Sequence, residues 1–314
     1  MELVDTLVLG TSAFGVKVRV LSAAHNSKIM QENQTEKKSV LQVVIHSFFV
    51  VPFIIAIFAV IIFLVIRLMT TEPNSARDYL EDVKIGGTTK RWQGAFELSK
   101  LLSNPKMIPK DEMFVNEMIS TFEYSSNDRD KRIRQYLAIA MGATKDERYS
   151  STLINAIEST DIGVVQACAF ALGNIGDAKA IEPLKKILSD SDPQVRLHGV
   201  IALGKIGGQS SIAPLRKMLT DIEPNIRWDA AIGLAKQKNS SGRSILLDLL
   251  DRKYLNSFPN VDEKEKVQVI LVTISVSHFV QNQELKLKLE RLMNEDLNLK
   301  IREAARIALE KFII

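Results

Sequence analysis

The hydropathy pattern contains one long uncharged stretch near the N-terminus. No residue between Lys38 and Arg67 carries a formal charge, and residues 48–66 are almost wholly apolar. About 20 apolar residues in a helix span the hydrocarbon core of a bilayer. The pattern therefore predicts a transmembrane helix within residues 39–69, preceded by an N-terminal tail, residues 1–38, that we expect to be poorly ordered.

Two other interpretations of this stretch are a buried core helix and a cleaved secretory signal peptide. A core helix of a soluble protein interrupts its apolar face with polar residues every turn or so, and this segment does not. A signal peptide has a shorter apolar stretch followed by small residues. Here the stretch ends in Arg67-Leu68-Met69-Thr70, so we expect it to be retained as an anchor. Met30 offers an alternative translation start that would leave only a short polar tail before it.

The flanking charges favour one membrane orientation only slightly. Three cations lie on each side of the apolar stretch, Lys28, Lys37 and Lys38 before it and Arg67, Arg77 and Lys84 after it. The positive-inside count is therefore close to a tie. Because the Lys37-Lys38 pair adjoins the span and Glu72 soon follows Arg67, we expect the N-terminus in the cytoplasm and the large C-terminal part outside it.

The rest of the chain is an internal repeat with a period of about 31 residues. Asp161, Asp192 and Glu223 each begin the same five-residue motif, 31 positions apart. Later landmarks keep the same spacing: Leu172-Gly173 with Leu203-Gly204, Pro183-Leu184 with Pro214-Leu215, and Leu188 with Leu219. This spacing indicates one supersecondary unit copied along the chain.

Each unit is predicted to be a pair of helices. Asp192 is a favourable N-cap, and Pro193 fits the first helical position, where its missing N–H costs nothing. Residues 204–208 are expected to break the first helix, and Pro214 is expected in the first turn of the second. Since a helix pair of this size cannot bury its apolar face alone, the units are predicted to stack on one another.

Residues 192–219 resemble the unit of the HEAT-like repeats of PBS-lyase type, which runs approximately Asp-x-x-Val-Arg-x-x-Ala-x-x-Ala-Leu-Gly-x-Ile-Gly-Asp-x-x-Ala-Ile-x-Pro-Leu-x-x-Leu-Leu. Residues 173–184 match its second half almost letter for letter. The resemblance covers residues 129–250 well and the flanks weakly. It implies an all-α fold in which a linker, residues 70–90, leads into an α-solenoid over 91–314, with about six helix pairs and a terminal helix.

The resemblance also implies a structural role for the arginine of each first helix, which in these repeats pairs with acidic groups of an adjacent turn or repeat. The matching positions are Arg91, Arg134, Arg196, Arg227 and Arg302. Val165 departs from the pattern, which would interrupt the ladder at one repeat. Trp92 and Trp228 each follow such an arginine, and we interpret them as packing anchors.

Composition argues against several kinds of chemistry. Cys168 is the only cysteine, so an intramolecular disulfide and a multi-cysteine metal site are excluded, and its apolar neighbours predict core packing. The four histidines have no metal-binding spacing. The turn at 204–210 lacks the Gly-Lys-Ser/Thr ending of a phosphate loop. We therefore expect no catalytic residue, no metal and no cofactor.

The basic residues suggest a surface for a partner. A net charge of +4 over 314 residues is too mild for a dedicated nucleic-acid binder. Two pairs of cations on the second helices lie one repeat apart: Lys185 with Lys186, and Arg216 with Lys217. They are expected to form a partner-binding stripe if this row lines the concave face. A solvated face with acidic neighbours explains the same charges, and both interpretations stay open.

These expectations favour a membrane-tethered scaffold or adaptor for protein partners, for example an accessory subunit of a transport or envelope complex. The resemblance implies a single-pass protein of the bacterial inner membrane. It also leaves an alternative, because some relatives attach or detach bilin chromophores on phycobiliproteins. A helical-repeat nucleic-acid binder is the third possibility, which the low aromatic content of 6% disfavours.

Overall fold

The structure is a computed structural model that describes residue 40 and residues 44–70 and 74–312. All regular elements of these residues are helical, which confirms the all-α class for this part of the chain. The contacts divide the chain into two compact units, Met1–Pro73 and Asn74–Ile314. The expected disorder of residues 1–38 and the alternative start at Met30 lie outside the described residues.

The described part of the first unit is a single apolar helix. Helix α1, Val51–Thr70, continues a π-helical turn, His46–Val50. At 1.5 Å per residue its 20 residues measure about 30 Å, the thickness of a bilayer core. The stretch Phe48–Arg67 has a mean hydropathy of 3.4 and none of its apolar window is buried. By length and composition it is a candidate membrane-spanning helix.

The second unit is a row of helix pairs. Helix α2, Ala76–Ile85, precedes six pairs, in each of which a first helix is followed by a second helix. The pairs are α3 (Thr88–Leu101) with α4 (Glu112–Tyr124), α5 (Arg132–Thr144) with α6 (Ser150–Ala156), and α7 (Ile162–Ile175) with α8 (Ile181–Ile187). They continue with α9 (Pro193–Ile206) and α10 (Gln209–Met218), α11 (Pro224–Lys236) and α12 (Arg243–Leu249), and α14 (Glu263–Ser277) and α15 (Gln283–Glu295).

Two further helices complete this unit. The short helix α13, Arg252–Asn256, lies in the longer connection before α14, and helix α16, Leu299–Leu309, follows the last pair. The prediction of six helix pairs with a terminal helix is confirmed within residues 74–312. Helix α2 falls in the predicted linker, 70–90, although its buried residues Ala76, Leu80 and Val83 have helical spacing. Its sequence signal is a capping box formed by Ser75 and Asp78.

Two of the three recurring acidic residues, Asp161 and Asp192, cap their helices through the side chain, whereas Glu223 does not. Asp192 Oδ1 accepts hydrogen bonds from the backbone N–H groups of Gln194, at 2.7 Å, and Val195, at 3.4 Å, as its predicted N-cap role requires. Asp161 caps α7 in the same way, accepting from the N–H of Val164 at 2.8 Å. These two caps fix where α7 and α9 begin, 31 residues apart.

The first helices are held together by close backbone contacts at the glycine of each Leu-Gly landmark. A Cβ atom added to Gly173 would lie 2.8 Å from the Cα of Ala202 in the next first helix, and one added to Gly142 would lie 2.5 Å from the Cα of Ala171. No real Cβ approaches backbone atoms so closely. The repeating glycine therefore allows successive first helices to pack backbone against backbone.

This packing corrects the expected break at residues 204–208. Helix α9 continues through Gly204 to Ile206, and the break lies at Gly207 and Gly208, whose φ angles are 71° and 83°. Gly204 stays helical because its function is packing: an added Cβ would lie 3.1 Å from the Cα of Gly233 in α11. Only the last two glycines adopt the left-handed backbone that glycine favours.

The expected position of Pro214 is also wrong. Helix α10 begins at Gln209, directly after Gly208, so Pro214 is its sixth residue and lies inside the helix rather than in its first turn. The early start follows from the two positive-φ glycines, which turn the chain within two residues. As a result, the carbonyl of Ser210 lacks its usual i+4 donor.

The core of the second unit runs along the stacked first helices. Contacts link α3, α5, α7, α9 and α11 in order, and then α11, α14 and α16. The buried apolar residues form two clusters. One extends from Ala76 to Leu234, the other from Trp228 to Ala308, and Leu219 packs against both. Neighbouring repeats therefore bury one another, as the sequence period predicts.

Candidate functional site

The repeat arginines contact turns of neighbouring repeats. The guanidinium of Arg196 on α9 forms a two-pronged ion pair with Asp221, which precedes α11, with distances of 2.9 Å from Nε to Oδ2 and 3.0 Å from Nη2 to Oδ1. The two side chains are only 12% and 7% exposed. The Arg196 guanidinium lowers the pKa of the Asp221 carboxyl. Arg91 Nη2 similarly donates to Asp128 Oδ2 at 2.7 Å.

The other arginines use different partners. Arg227 Nη1 donates to the carbonyls of Asp221 and Ile222 at 2.7 and 2.9 Å, and Arg302 Nε donates to the carbonyl of Met293 at 3.1 Å. The guanidinium of Arg134 lies 4.8 Å from the centroid of the Phe122 ring. These side chains contact their own or adjacent turns, but they do not form a continuous ladder of ion pairs.

One further arginine has the same kind of contact and escaped the sequence analysis. Arg252 on α13 pairs with Asp296, before α16, with distances of 2.7 Å from Nε to Oδ2 and 2.9 Å from Nη2 to Oδ1. The Asp296 side chain is almost fully buried. The resemblance gave no signal for it, because Arg252 lies on a short helix within the connection and not on a first helix.

The predicted basic stripe is partly neutralised. Lys185 pairs with Glu182 at 2.7 Å, and Lys186 pairs with Glu158 of the preceding repeat at 3.2 Å. Arg216 and Lys217 are exposed on α10 and form no ion pair with the described residues. The second helices α8 and α10 contact each other, so the two pairs of cations lie on adjacent helices. A partner-binding role for them stays a prediction.

The two tryptophans pack as anchors in different surroundings. Trp92 is half-buried, and the guanidinium of Arg132 lies 4.4 Å from its ring centroid. Trp228 is 6% exposed and packs edge-to-face against Tyr254 and Phe258, with ring centroids 6.3 and 5.1 Å away. Its indole N–H donates to the Tyr254 hydroxyl at 3.2 Å. The three aromatic side chains therefore form a fixed cluster between α11 and α14.

This cluster is one wall of an open groove of about 580 Å³, which we call the Trp228 groove. Its other lining comes from α11, from the connection that contains Phe258, and from α14. The polar and aromatic lining consists of three carboxylates, three amides and an aromatic pair: Glu223, Asp229, Glu265, Asn225, Asn260, Gln268, Trp228 and Phe258. No lysine or arginine lines it.

Asp229 is the unusual residue of the Trp228 groove. The residue is half-buried, and its carboxylate has no hydrogen-bond or ion-pair partner among the described residues. Burial raises the pKa of the Asp229 carboxyl from its usual 3.8 to about 6, and the charge of Lys236 opposes this rise. Even partial burial of a carboxylate without a partner is costly, and such perturbed groups are common at functional sites.

A second hollow, of about 370 Å³, shows the contrast. It lies between α13 and α15 and is lined mostly by charged residues. Here the opposite charges satisfy each other, because Arg252 pairs with Asp296 and Lys288 pairs with Asp251 at 2.8 Å. The third carboxylate of this hollow, Glu295, is exposed.

The absence of catalytic chemistry that the sequence predicts stays a prediction. Within residues 44–70 and 74–312, no group of three His, Cys, Asp or Glu side chains is arranged to hold a metal ion. Cys168 is fully buried, as predicted, and burial raises the pKa of its thiol to about 12. The thiol is therefore protonated and inaccessible, which fits core packing.

The sequence profile of HEAT repeats matches residues 121–191 and 181–255. The chain therefore contains HEAT repeats, and the resemblance found in residues 129–250 is confirmed. A search of curated proteins returned no match.

Solved structures of other proteins are similar to this chain. A chain of the complex of CpcE and CpcF of phycocyanin lyase from Nostoc sp. PCC7120 is 16% identical, with 78% of this chain and 97% of that chain covered and a TM-score of 0.51. A computationally designed armadillo repeat protein for modular peptide recognition is 16% identical, with 76% and 100% covered and a TM-score of 0.39. At these identities the likeness concerns the fold alone.

Proposed function

We propose that this HEAT-repeat chain is a membrane-anchored scaffold that binds protein partners. The observation that carries the proposal is the combination, in one chain, of an uncovered apolar helix with a stack of helix pairs. Each part implies a different contact: the first requires lipid, and the second presents an extended surface.

The anchoring argument rests on the exposed surface of α1. All side chains from Val51 to Arg67 are exposed, and all but the last are apolar. Covering one large apolar side chain contributes about 1.5–3 kcal/mol. A bilayer provides that cover along the whole helix, and anchoring would concentrate the repeats near partners in the same membrane. We place the protein in the bacterial inner membrane, with the repeats outside the cytoplasm.

The binding argument rests on the second unit. Its hollows within the described residues are open grooves between repeats, which suits contact with a polypeptide better than enclosure of a small substrate. Open repeat surfaces of this kind bind partners in an extended fashion. We therefore assign binding, and not catalysis, as the function, with an accessory role in a transport or envelope complex as its specific form.

The anchor is tested by extraction of membranes from cells that express the full-length chain. We expect the protein to remain in the pellet after washing with alkaline carbonate and to be released by a non-ionic detergent. A variant with two lysines in the helix, Ile57→Lys/Ile61→Lys, should lose this retention, because each central charge costs about 2.5–3.5 kcal/mol on insertion. Release of the unmodified protein by carbonate would refute the anchor.

The scaffold is tested separately, by cross-linking in intact membranes followed by purification in mild detergent. We expect the same membrane proteins to be recovered under several extraction conditions. Recovery of the chain alone under all of them contradicts the proposal. A fusion of an extracytoplasmic reporter to the C-terminus then tests the side on which the repeats lie.

Bilin handling remains the alternative from the sequence. The phycocyanin lyase complex is similar in fold, at 16% identity. Titration of the purified protein with phycocyanobilin, followed by absorbance spectroscopy, tests this alternative. A shifted and intensified visible band would favour it, and an unchanged free-bilin spectrum would exclude it.

A further inference from the structure

The charge of the Trp228 groove points to the chemistry of its occupant. Glu223, Asp229 and Glu265 line it, and no basic side chain does. Glu265 is partly engaged, since its carboxylate accepts the backbone N–H of Asp262 at 3.3 Å. Asp229 has no such partner and is half-buried, so an incoming cation would meet a partly desolvated carboxylate. Charge complementarity therefore favours a cationic group.

The aromatic side chains of the groove indicate which kind of cation fits it. Trp228, Tyr254 and Phe258 hold one another edge-to-face, with both of the contacts made by Phe258 at 5.1 Å between centroids. Phe258 is only half-buried and faces the groove. A guanidinium group stacks on such rings and also forms two parallel hydrogen bonds with a carboxylate. An ammonium group is a point charge that lacks this planar, two-pronged geometry.

The remaining lining suits a polypeptide. The side-chain amides of Asn260 and Gln268 are exposed at the rim and make no hydrogen bond with the described residues. Amide groups offer both a donor and an acceptor, which is what the backbone of an extended segment requires. The groove is open to solvent, so a longer chain can enter it without being enclosed.

We propose that the Trp228 groove binds an arginine side chain of an extended segment of a partner protein, with the guanidinium between the aromatic wall and the Asp229 carboxylate. This inference rests on the proposed scaffold function and specifies one of its contacts. In this complex, the guanidinium of the partner forms the ion pair with Asp229 that the described residues do not form.

The test uses the full-length protein in dodecyl maltoside micelles and two fluorescein-labelled peptides. One contains four Gly-Ser-Arg units, and the other has neutral citrulline at each arginine position. Fluorescence anisotropy measures both dissociation constants. We expect the arginine peptide to bind at least about tenfold more tightly than the citrulline peptide. Equal affinities would overturn the proposal, as would equally tight binding of N-acetylarginine methylamide, which lacks a peptide chain.

Two variants locate the contact. Asp229→Asn removes the groove carboxylate and keeps its shape, and we expect about a tenfold loss of affinity for the arginine peptide. Phe258→Leu keeps an apolar wall without a ring, and we expect about a threefold loss. The matched control is Asp248→Asn, which removes an exposed carboxylate of α12 outside the groove. Equal losses for Asp229→Asn and Asp248→Asn would mean a general charge effect and would refute the groove.

The pH dependence supplies an independent readout. Lys236 is the charged residue that affects the Asp229 carboxylate, and Glu223 and Glu265 line the same groove. Because Asp229 titrates above the usual range of a carboxylic acid, we expect affinity to rise between pH 5 and pH 7, roughly the span of its titration. The Asp229→Asn variant should lose this rise. An identical pH profile in the variant would contradict the proposed contact.

The scaffold proposal and the groove proposal can be refuted independently. If cross-linking recovers the same membrane partners with Asp229→Asn as with the unmodified protein, and the arginine peptide shows no preference, the scaffold stands and the groove is refuted. If the arginine peptide binds as described but no membrane partner is recovered, the scaffold is refuted and the groove is supported as a peptide site.

Discussion

Asp229 illustrates how a single residue links stability to binding. Its carboxyl is half-buried in the Trp228 groove, and no described residue forms an ion pair with it. The protein therefore holds a group whose charged form is disfavoured by its surroundings. Retaining such a group lowers stability at neutral pH unless a ligand compensates for it, which is the trade-off found at binding sites.

This cost gives a prediction for the unliganded protein. Burial raises the pKa of Asp229 from 3.8 to about 6, so the folded state favours the protonated acid. The unfolded state loses its proton first as the pH rises, and stability falls between about pH 4 and pH 6. Asp229→Asn should therefore stabilise the protein at pH 7.5, by up to about 3 kcal/mol. Below pH 4 the difference should vanish.

Chemical denaturation at pH 4 and pH 7.5 measures this effect. Asp248→Asn serves again as the control, because its exposed carboxylate should give no comparable difference between the two pH values. A destabilised Asp229→Asn protein at pH 7.5 would show that the carboxylate has a structural partner after all.

Residue types with local physical signatures could be predicted from the sequence. Asp192 was expected to cap a helix, and Cys168 was expected in the core, because capping and small apolar packing depend on neighbours in the chain. The Trp228 groove could not be predicted. It forms because the connection after α12 brings Phe258 against Trp228, 30 positions earlier in the sequence, and the repeat pattern carries no information about that connection.

At the scale of elements, the first helices depend on small residues where their backbones meet. The sequence marks these positions as Leu-Gly landmarks, but by itself suggests that glycine ends a helix, which is why the break was expected at residue 204. The structure shows that Gly173 and Gly204 lie within their helices and face a neighbouring backbone. Glycine in a helix costs about 1 kcal/mol relative to alanine, so close packing must compensate for it.

Two substitutions in α7 separate helix propensity from packing. Gly173→Ala should destabilise the protein by about 1–3 kcal/mol, because its Cβ would lie 2.8 Å from the Cα of Ala202 and the helices must move apart. Gly163→Ala adds the same methyl group in the same helix, but meets mainly the flexible Gln135 side chain, at 2.3 Å from its Nε2 atom. It should be close to neutral. Thermal unfolding of both variants compares them, and equal destabilisation would argue against the backbone contact.

At the scale of the whole molecule, the repeats are expected to behave as a chain of coupled units, each stabilised mainly by its neighbours. The second unit has two apolar clusters that share Leu219, and the Arg196–Asp221 pair lies at the same junction, between α9 and the start of α11. The junction therefore couples the N-terminal and C-terminal repeats. The sequence period predicts that the repeats stack, but it does not predict which pair of neighbouring repeats is coupled most weakly.

Asp221→Ala tests this coupling. It leaves the Arg196 guanidinium, only 12% exposed, without its carboxylate partner, a change that costs about 3 kcal/mol in buried pairs. We expect hydrogen exchange to accelerate in α11 and the helices that follow it more than in α5 and α7, since the two clusters would then open separately. Lys186→Ala is the matched control, because it also removes an ion pair between repeats, with Glu158, but both side chains are about 70% exposed. Exchange that accelerates uniformly along the repeats in Asp221→Ala would show that the stack unfolds as one cooperative unit and that the junction has no special weakness.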